Sequence, residues 1–306
     1  KAAADAAAAA DVLKQTLTLT TGVDASKAGA YDDTINGVVQ AAGATGSTAQ
    51  PGDVVEGGAG TDTFNLTFAG DAGGAYTLQA LQLNNVENVL ATNFDLNAAA
   101  TTVDTSLMTG VEKVGLGSSS ATGDTIFSGM RSIVDAQMSN GSADLTMTYA
   151  AGTSGTADVQ NLALSAVTAG TFDAAGIETI AVTGSLTANK LTNITGSTLK
   201  TISVAGDQNF TMTGSTTVKT IDAAANTGKT SLVLGSADQK VTLGAGDDTV
   251  DIGANLTAAD AIQGGEGTDT LKLSADGTIN GMASAADITA EFAQSGGFEV
   301  IDIAST

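Results

Sequence analysis

Cysteine, histidine and tryptophan are all missing from this sequence of 306 residues, and proline occurs once. Without cysteine, the chain cannot form the disulfides that stabilise many secreted domains. Structural zinc is not expected either, because its sites use cysteine and histidine. The same absences argue against Cys–His and Ser–His–Asp catalysis. We therefore expect stabilisation by an apolar core, by repeats, or by hard metal ions bound through oxygen.

Basic residues are also scarce: 11 Lys and Arg stand against 33 Asp and Glu, giving a net charge of -22. This balance argues against a nucleic-acid partner and against an anionic membrane surface. No apolar run reaches eighteen residues, so no membrane insertion is expected, and no signal peptide is visible. The excess carboxylates serve either solubility or the binding of divalent cations.

Enzymatic acid–base chemistry on a sugar would need converging carboxylates with arginine or aromatic residues to hold the substrate. The chain has one arginine, Arg131, and its aromatic content is 4%. We therefore expect a protein that is not an enzyme.

The chain changes character after its first residues. Residues 1–14 are alanine-rich, and we interpret 1–15 as the helical tail of an upstream domain. Because the sequence begins at Lys1 and stops within an apolar stretch, we expect it to be a piece of a longer protein. Residues 16–306 contain short alternating segments separated by Gly, Asn, Asp or Ser, with a candidate sub-boundary near 130–150. This pattern is typical of many short strands.

A short unit, Gly/Asn-Φ-Glu-x-Φ with Φ apolar, recurs at 85–89, 110–114, 176–180 and 297–301. A related unit carries lysine instead, at 199–202 and 218–221. Offsets near twenty residues predict an all-β, right-handed parallel β-solenoid or β-roll, in which stacked units bury a shared apolar stripe. We expect the Glu and Lys residues to be solvated surface charges, with cross-rung Glu–Lys pairing as the alternative.

A second repeat follows the pattern GGxGxDxUx, in which U is a large apolar residue. It occurs in full at 57–65 and 264–272. The segment 243–251 lacks only the first glycine, and a degenerate copy ends at 31–35. Glycines let the backbone curl and direct its carbonyl groups inward, and the aspartate adds a charge. Carbonyl and carboxylate oxygens together suit Ca²⁺.

We therefore predict short calcium-binding turns in which one rung supplies half of each site and the next rung supplies the rest. The candidate metal ligands are Asp33, Asp53, Gly57, Gly58, Gly60, Asp62, Gly244, Gly246, Asp248, Asp260, Gly264, Gly265, Gly267 and Asp269. The alternative is that these segments are plain glycine turns capped by aspartate. That alternative is strongest for Asp53 and Asp260, which precede the two full copies.

These nonapeptides, together with Thr20-Thr21-Gly22-Val23-Asp24 and the Gly-Ile-Glu-Thr-Ile type of unit, resemble RTX-type calcium-binding surface-layer proteins of Gram-negative bacteria, such as those of Caulobacter and Campylobacter. The resemblance implies type I secretion, calcium-dependent folding at the cell surface, and self-assembly into a two-dimensional lattice. It also implies that Asp62, Asp248 and Asp269 are carboxylate ligands. The nonapeptides here are sparse and isolated, whereas RTX rolls stack many in tandem.

By this resemblance the partner is a second copy of the chain, with lipopolysaccharide as an anchor held through an upstream domain. The alternative function is a calcium-dependent secreted adhesin or biofilm matrix protein, which would share the fold and the metal but bind a foreign ligand. The sequence does not separate these two functions.

Overall fold

The computed structural model describes residues 13–40, 45–70, 77–96, 99–257, 259–273 and 296–303. The chain divides into two compact units, Lys1–Ser154 and Gly155–Thr306. Within the described ranges every regular element is a strand and there is no helix. The predicted N-terminal helix falls mainly on residues 1–12, which lie outside the described residues.

The first unit contains fourteen strands. They are β1 (Thr16–Thr18), β2 (Ala25–Lys27), β3 (Thr34–Gln40), β4 (Val54–Glu56), β5 (Thr63–Ala69), β6 (Thr77–Leu78), β7 (Gln82–Asn84), β8 (Asn88–Asn93), β9 (Thr101–Asp104), β10 (Met108–Thr109), β11 (Lys113–Gly117), β12 (Thr125–Met130), β13 (Asp135–Ser139) and β14 (Leu145–Tyr149). They run in the orders β1-β3-β5-β8-β11-β13, β2-β4-β7-β10 and β6-β9-β12-β14. We call the first of these the long sheet of the first unit.

The second unit contains the remaining strands. They are β15 (Val159–Ser165), β16 (Thr171–Ala174), β17 (Thr179–Ser185), β18 (Asn189–Leu191), β19 (Asn193–Thr195), β20 (Thr201–Gly206), β21 (Phe210–Thr216), β22 (Thr220–Asn226), β23 (Thr230–Leu234), β24 (Lys240–Thr242), β25 (Thr249–Gly253), β26 (Ala261–Gln263), β27 (Thr270–Leu273) and β28 (Val300–Ile303). Their orders are β15-β17-β20-β22-β24-β26, β16-β19 and β18-β21-β23-β25-β27-β28. We call the last of these the terminal sheet.

Neighbouring strands in these sheets are parallel and, apart from β27 and β28, are separated by one or two other strands in chain order. In the first unit, for example, β3 pairs with β5 over seven residues, from Thr34↔Thr63 to Gln40↔Ala69. Such pairing requires the chain to wind around and return to the same sheet. The strands therefore stack as a parallel β-solenoid, which confirms the predicted all-β fold and is consistent with the predicted right-handed β-roll.

The core forms because apolar residues alternate with small polar ones in the strands. In β5 every second residue is buried, and Phe64, Leu66 and Phe68 are fully buried. Register places Phe64 between Ile35 of β3 and Val89 of β8, so each apolar position continues as a column through the stack. Burying one such side chain contributes about 1.5–3 kcal/mol, and Thr and Asn remain on the outer face.

Candidate metal centre

The residue immediately before each strand of the long sheet stacks on its counterpart in the next rung. In the first unit these residues are Gln15, Asp33, Asp62, Glu87, Glu112 and Val134, as fixed by the register of the strands that follow them. We call Asp33, Asp62 and Glu87 the first carboxylate column. The aspartates of the nonapeptides and the glutamate of the Gly/Asn-Φ-Glu unit therefore occupy equivalent positions.

The terminal sheet contains the same arrangement. Asp248, Asp269 and Glu299 precede β25, β27 and β28, and the register of these strands stacks the three residues in order. We call them the second carboxylate column. The two columns belong to different units of the chain, so each can be compared with the other as an independent copy.

Within each column, the second and third carboxylates each accept a hydrogen bond from the backbone N–H of the column residue one rung earlier. In the first column, Asp33 N–H donates to Asp62 Oδ1 at 2.7 Å, and Asp62 N–H donates to Glu87 Oε2 at 2.7 Å. In the second, Asp248 N–H donates to Asp269 Oδ1 at 2.8 Å, and Asp269 N–H donates to Glu299 Oε2 at 2.8 Å. These charge-assisted bonds tie each rung to the next.

The second oxygen of each aspartate distinguishes the two full nonapeptides from the two incomplete ones. In the incomplete copies, Gly29 N–H donates to Asp33 Oδ2 at 2.7 Å and Gly244 N–H donates to Asp248 Oδ2 at 3.2 Å. In the full copies, Asp62 Oδ2 and Asp269 Oδ2 are buried and have no hydrogen-bond partner. Both of these aspartates are 0% exposed.

Backbone conformation explains this difference. Gly58 and Gly265, four residues before the aspartate, have φ of 104° and 101°, whereas Gly29 and Gly244 lie outside the left-handed region. The glycine before each has its N–H bonded to the following rung instead: Gly57 to Asn84 O at 2.8 Å and Gly264 to Gly296 O at 2.9 Å. The doubled glycine therefore turns the backbone donors away from the aspartate oxygen.

The first glycine of each full copy also leaves room for crowded oxygen atoms. A Cβ on Gly57 would lie 1.7 Å from Asn85 O and 2.5 Å from Asp62 Oδ2. A Cβ on Gly264 would lie 1.9 Å from Gly297 O and 2.7 Å from Asp269 Oδ2. Only glycine fits here, and a carbonyl oxygen and a carboxylate oxygen approach the same small space.

Burial raises the pKa of Asp62, and the charges of Glu87, Asp33 and Asp32 raise it further, against the opposing hydrogen bond from Asp33. Burial likewise raises the pKa of Asp269, to which the charges of Glu299 and Asp247 add. The pKa of Asp248 is raised to about 6, mainly by burial and then by the charge of Asp269. In both columns, therefore, the raised pKa belongs to a buried aspartate that has other carboxylates near it.

Asp53 and Asp260 lie outside the two columns, and both of their carboxylate oxygens accept hydrogen bonds. Asp53 accepts from Asp24 N–H at 2.9 Å and from Gln50 N–H at 2.8 Å. Asp260 accepts from Gln239 N–H and from Thr257 N–H, each at 2.8 Å. The contacts with Gln50 and Thr257 are local turn caps, as in the alternative that the sequence left open, and the contacts with Asp24 and Gln239 join neighbouring rungs.

The remaining predicted ligands are glycines, and they belong either to the full turns or to the incomplete copy at 243–251. Gly60 and Gly267 have positive φ and belong to the full turns. Gly244 contributes its N–H to Asp248, and its carbonyl accepts Glu266 N–H at 2.9 Å. Gly246 lies against the backbone of Gly228, since a Cβ there would be 2.7 Å from the Gly228 carbonyl oxygen. The structure therefore brings together Asp62 with Gly57 and Asp269 with Gly264.

Sequence reasoning did not assign Glu87 and Glu299 to the metal site and expected them to be solvated charges. Glu299 is exposed, as expected, whereas Glu87 is half-buried, and both accept the N–H of a column aspartate. The signal was present, because each Glu lies in the unit that follows a full nonapeptide, 25 and 30 residues after its aspartate. Glu178 also departs from that expectation: it is 6% exposed and accepts Asp158 N–H at 3.0 Å. Glu112, like Glu299, is exposed.

The donor set can be tested against a metal ion. Among the described residues, no three Asp, Glu, Cys or His side chains converge as a metal cluster. Each full turn instead offers an unpartnered carboxylate oxygen, a glutamate beside it and a crowded backbone carbonyl. Mixed carboxylate and carbonyl oxygens fit a hard cation such as Ca²⁺ and do not fit zinc.

Comparisons with protein-family models, with curated proteins and with solved structures each found no match. In the part of the chain that the structure describes, there is no helix of the length and apolarity that crossing a membrane would need.

Proposed function

We propose that this chain is a structural cell-surface protein that is stabilised by binding calcium and assembles with copies of itself into a surface layer. The observation that carries the calcium part is the pair of equivalent turns in which Asp62 Oδ2 and Asp269 Oδ2 are buried without a partner. Leaving a charged oxygen unpaired in a buried place is unfavourable, and a bound cation would remove that penalty.

Calcium would be held by Asp62 and Asp269, with the backbone carbonyl groups of their turns. At saturation the ion adds stability to the folded state only, because the two rungs of each site are far apart in the unfolded chain. A hundredfold excess of calcium over its dissociation constant would add about 2.7 kcal/mol per site. Extracellular modules typically bind calcium at roughly 10⁻⁴–10⁻³ M, so the proposed response belongs outside the cell.

Secretion, surface location and lattice assembly rest on the resemblance to RTX-type surface-layer proteins. The absence of cysteine and the net charge of -22 agree with it, since a secreted chain without disulfides needs another stabilising device. Type I secretion and self-association as the principal interaction follow from the same resemblance, and the scarcity of arginine and aromatic residues supports a non-enzymatic role. Lipopolysaccharide stays the proposed anchor, reached through an upstream domain.

The experiment compares the purified chain in chelator and in millimolar calcium. Thermal unfolding followed by circular dichroism should shift to higher temperature with calcium, and electron microscopy should show ordered sheets. An identical melting temperature in both conditions would contradict the calcium part. A shift without sheets at any protein concentration would contradict the lattice part and favour the adhesin or matrix function.

A further inference from the structure

We propose that Glu87 and Glu299 complete the cation sites at the two GGxGxD turns, so that each isolated nonapeptide holds its ion with a glutamate from the next rung instead of a second nonapeptide. The inference rests on the proposed function, because it specifies how the calcium sites of that function are built. It also explains how nonapeptides that do not occur in tandem can bind metal.

The contacts of the two glutamates are the same in both units. Glu87 Oε2 accepts the N–H of Asp62 and Glu299 Oε2 accepts the N–H of Asp269, at 2.7 and 2.8 Å. This bond holds each glutamate carboxylate beside the turn whose aspartate oxygen lacks a partner. The glutamate charge is near enough to help raise the pKa of the aspartate in both copies.

The same rung contributes a backbone oxygen. Asn85 and Gly297, each two residues before the glutamate, have positive φ of 51° and 71°. Their carbonyl oxygens are the atoms that a Cβ on Gly57 or Gly264 would strike. One Asn/Gly-Φ-Glu unit therefore brings a carbonyl and a carboxylate to one full nonapeptide turn.

Glutamates in the same sequence unit elsewhere do not meet these conditions. Glu112 stacks on Glu87, and the rung before it has no doubled-glycine turn. Glu178 accepts Asp158 N–H, but the Asp158 carboxylate also accepts a hydrogen bond from Gly155 N–H. Two of the four Gly/Asn-Φ-Glu-x-Φ segments therefore follow a turn with a buried, unpartnered aspartate oxygen, and these two form the proposed sites.

Charge identifies the class of ligand. An ionised aspartate and an ionised glutamate together carry two negative charges in each site. A hard divalent cation balances that charge and takes oxygen ligands from both side chains and backbone. The proposed ligand is therefore Ca²⁺, with one ion at each full turn.

The test uses the full chain and the substitutions Glu87→Gln and Glu299→Gln. Glutamine keeps an oxygen that can accept the aspartate N–H but removes the charge. We expect calcium affinity at the altered site to fall on the order of tenfold or more. Isothermal titration with Ca²⁺ should then show one strong site in either variant and none in the double variant. The melting temperature in chelator should not fall.

Matched controls are Glu112→Gln and Glu178→Gln. The first occupies the same sequence segment after a rung that has no full turn, and the second keeps an equivalent hydrogen bond without a full turn before it. Both should bind calcium as the parent chain does. Terbium luminescence gives a local readout at the first site, because the backbone of Tyr31 lies against Gly60 and the chain has no tryptophan. Glu87→Gln should lower that signal, whereas Glu299→Gln should not.

The outcomes separate the two proposals. If the parent chain binds calcium and Asp62→Asn and Asp269→Asn abolish binding, but both glutamine variants bind like the controls, the inference about the glutamates is overturned and the proposed function stands. If calcium neither binds to nor stabilises the parent chain, both are overturned.

Discussion

The four nonapeptide aspartates have different chemical surroundings although they share one sequence pattern. Asp33 and Asp248 have both carboxylate oxygens occupied by backbone N–H groups. Asp62 and Asp269 use one oxygen in the same way and leave the other without a donor. At the scale of the residue, the second pair is therefore suited to bind a cation, while the first pair is suited to hold rungs together.

Asparagine substitutions should reveal this difference. In chelator, Asp62→Asn and Asp269→Asn should keep or gain stability, by up to about 1 kcal/mol, because they remove a buried charge and place an amide N–H near a backbone carbonyl. Asp248→Asn should lose about 1–3 kcal/mol, because the new amide N–H would face the N–H of Gly244. Urea unfolding with chelator present measures these free energies. Equal losses in all three variants would contradict the distinction.

At the scale of the element, the turn and the rung after it act as one unit. The N–H of Gly57 bonds to Asn84 O, the N–H of Asp62 bonds to Glu87, and the N–H of Asn88 bonds to Asp62 O at 2.9 Å. The turn at Gly264 repeats these contacts with the rung at Gly296–Glu299. A full nonapeptide therefore needs a following rung with the right backbone shape.

Alanine at the first glycine of a full nonapeptide should disrupt the contact between the turn and the following rung. In Gly57→Ala and Gly264→Ala the new Cβ would lie 1.7 and 1.9 Å from a backbone carbonyl oxygen. Because the backbone must move apart, we expect a loss of about 3 kcal/mol or more. Gly22→Ala is the control, since its nearest atom would be 3.8 Å away, and it should change stability by less than about 0.5 kcal/mol. Denaturant unfolding in calcium should show this ranking, and a loss in the control equal to the others would refute it.

At the scale of the whole molecule, each of the two units carries one carboxylate column of the same design. The net charge of -22 means that ionised carboxylates repel one another across the chain. Two agents can relieve the buried part of this charge: divalent cations, which need ionised carboxylates, and protons, which remove the charge. The free energy of unfolding should therefore depend on both pH and calcium. Lowering the pH should stabilise the calcium-free chain and should weaken the stabilisation by calcium.

The direction of the pH dependence follows from the raised pKa values. The pKa of Asp248 is about 6 in the folded chain, and those of Asp62 and Asp269 are also raised above their usual 3.8. The folded state therefore binds more protons than the unfolded state between about pH 4 and 6, so stability without calcium should rise as pH falls through that window. The stabilisation that calcium adds should shrink over the same window.

Melting temperatures at pH 7.5 and pH 5, each with chelator and with calcium, check this expectation. The chelated protein should melt higher at pH 5, and the calcium-induced shift should be larger at pH 7.5. An Asp62→Asn, Asp269→Asn double variant is the control, and its pH dependence in chelator should be weaker. A chelated protein that loses stability steadily from pH 7.5 to pH 5 would contradict the assignment.

Much of the fold could be read from local patterns. Alternation in segments such as Thr63–Ala69, with glycine-rich turns between them, was enough to predict short strands in a parallel solenoid, because a period of two forces one face inward. The doubled glycines at 57–58 and 264–265 also marked the turns, since positive φ at their second position suits glycine and few other residues.

Only the tertiary structure decided which aspartates have a free oxygen and which glutamates lie beside them. Asp62 and Glu87 are 25 residues apart, and Asp269 and Glu299 are 30 apart, so their contact depends on how many residues each rung contains. The sequence by itself determined strands, turns and charge, which are local properties. Stacking determined the hydrogen-bond partners, because in this parallel solenoid the carboxylates of the two columns meet the backbone of another rung.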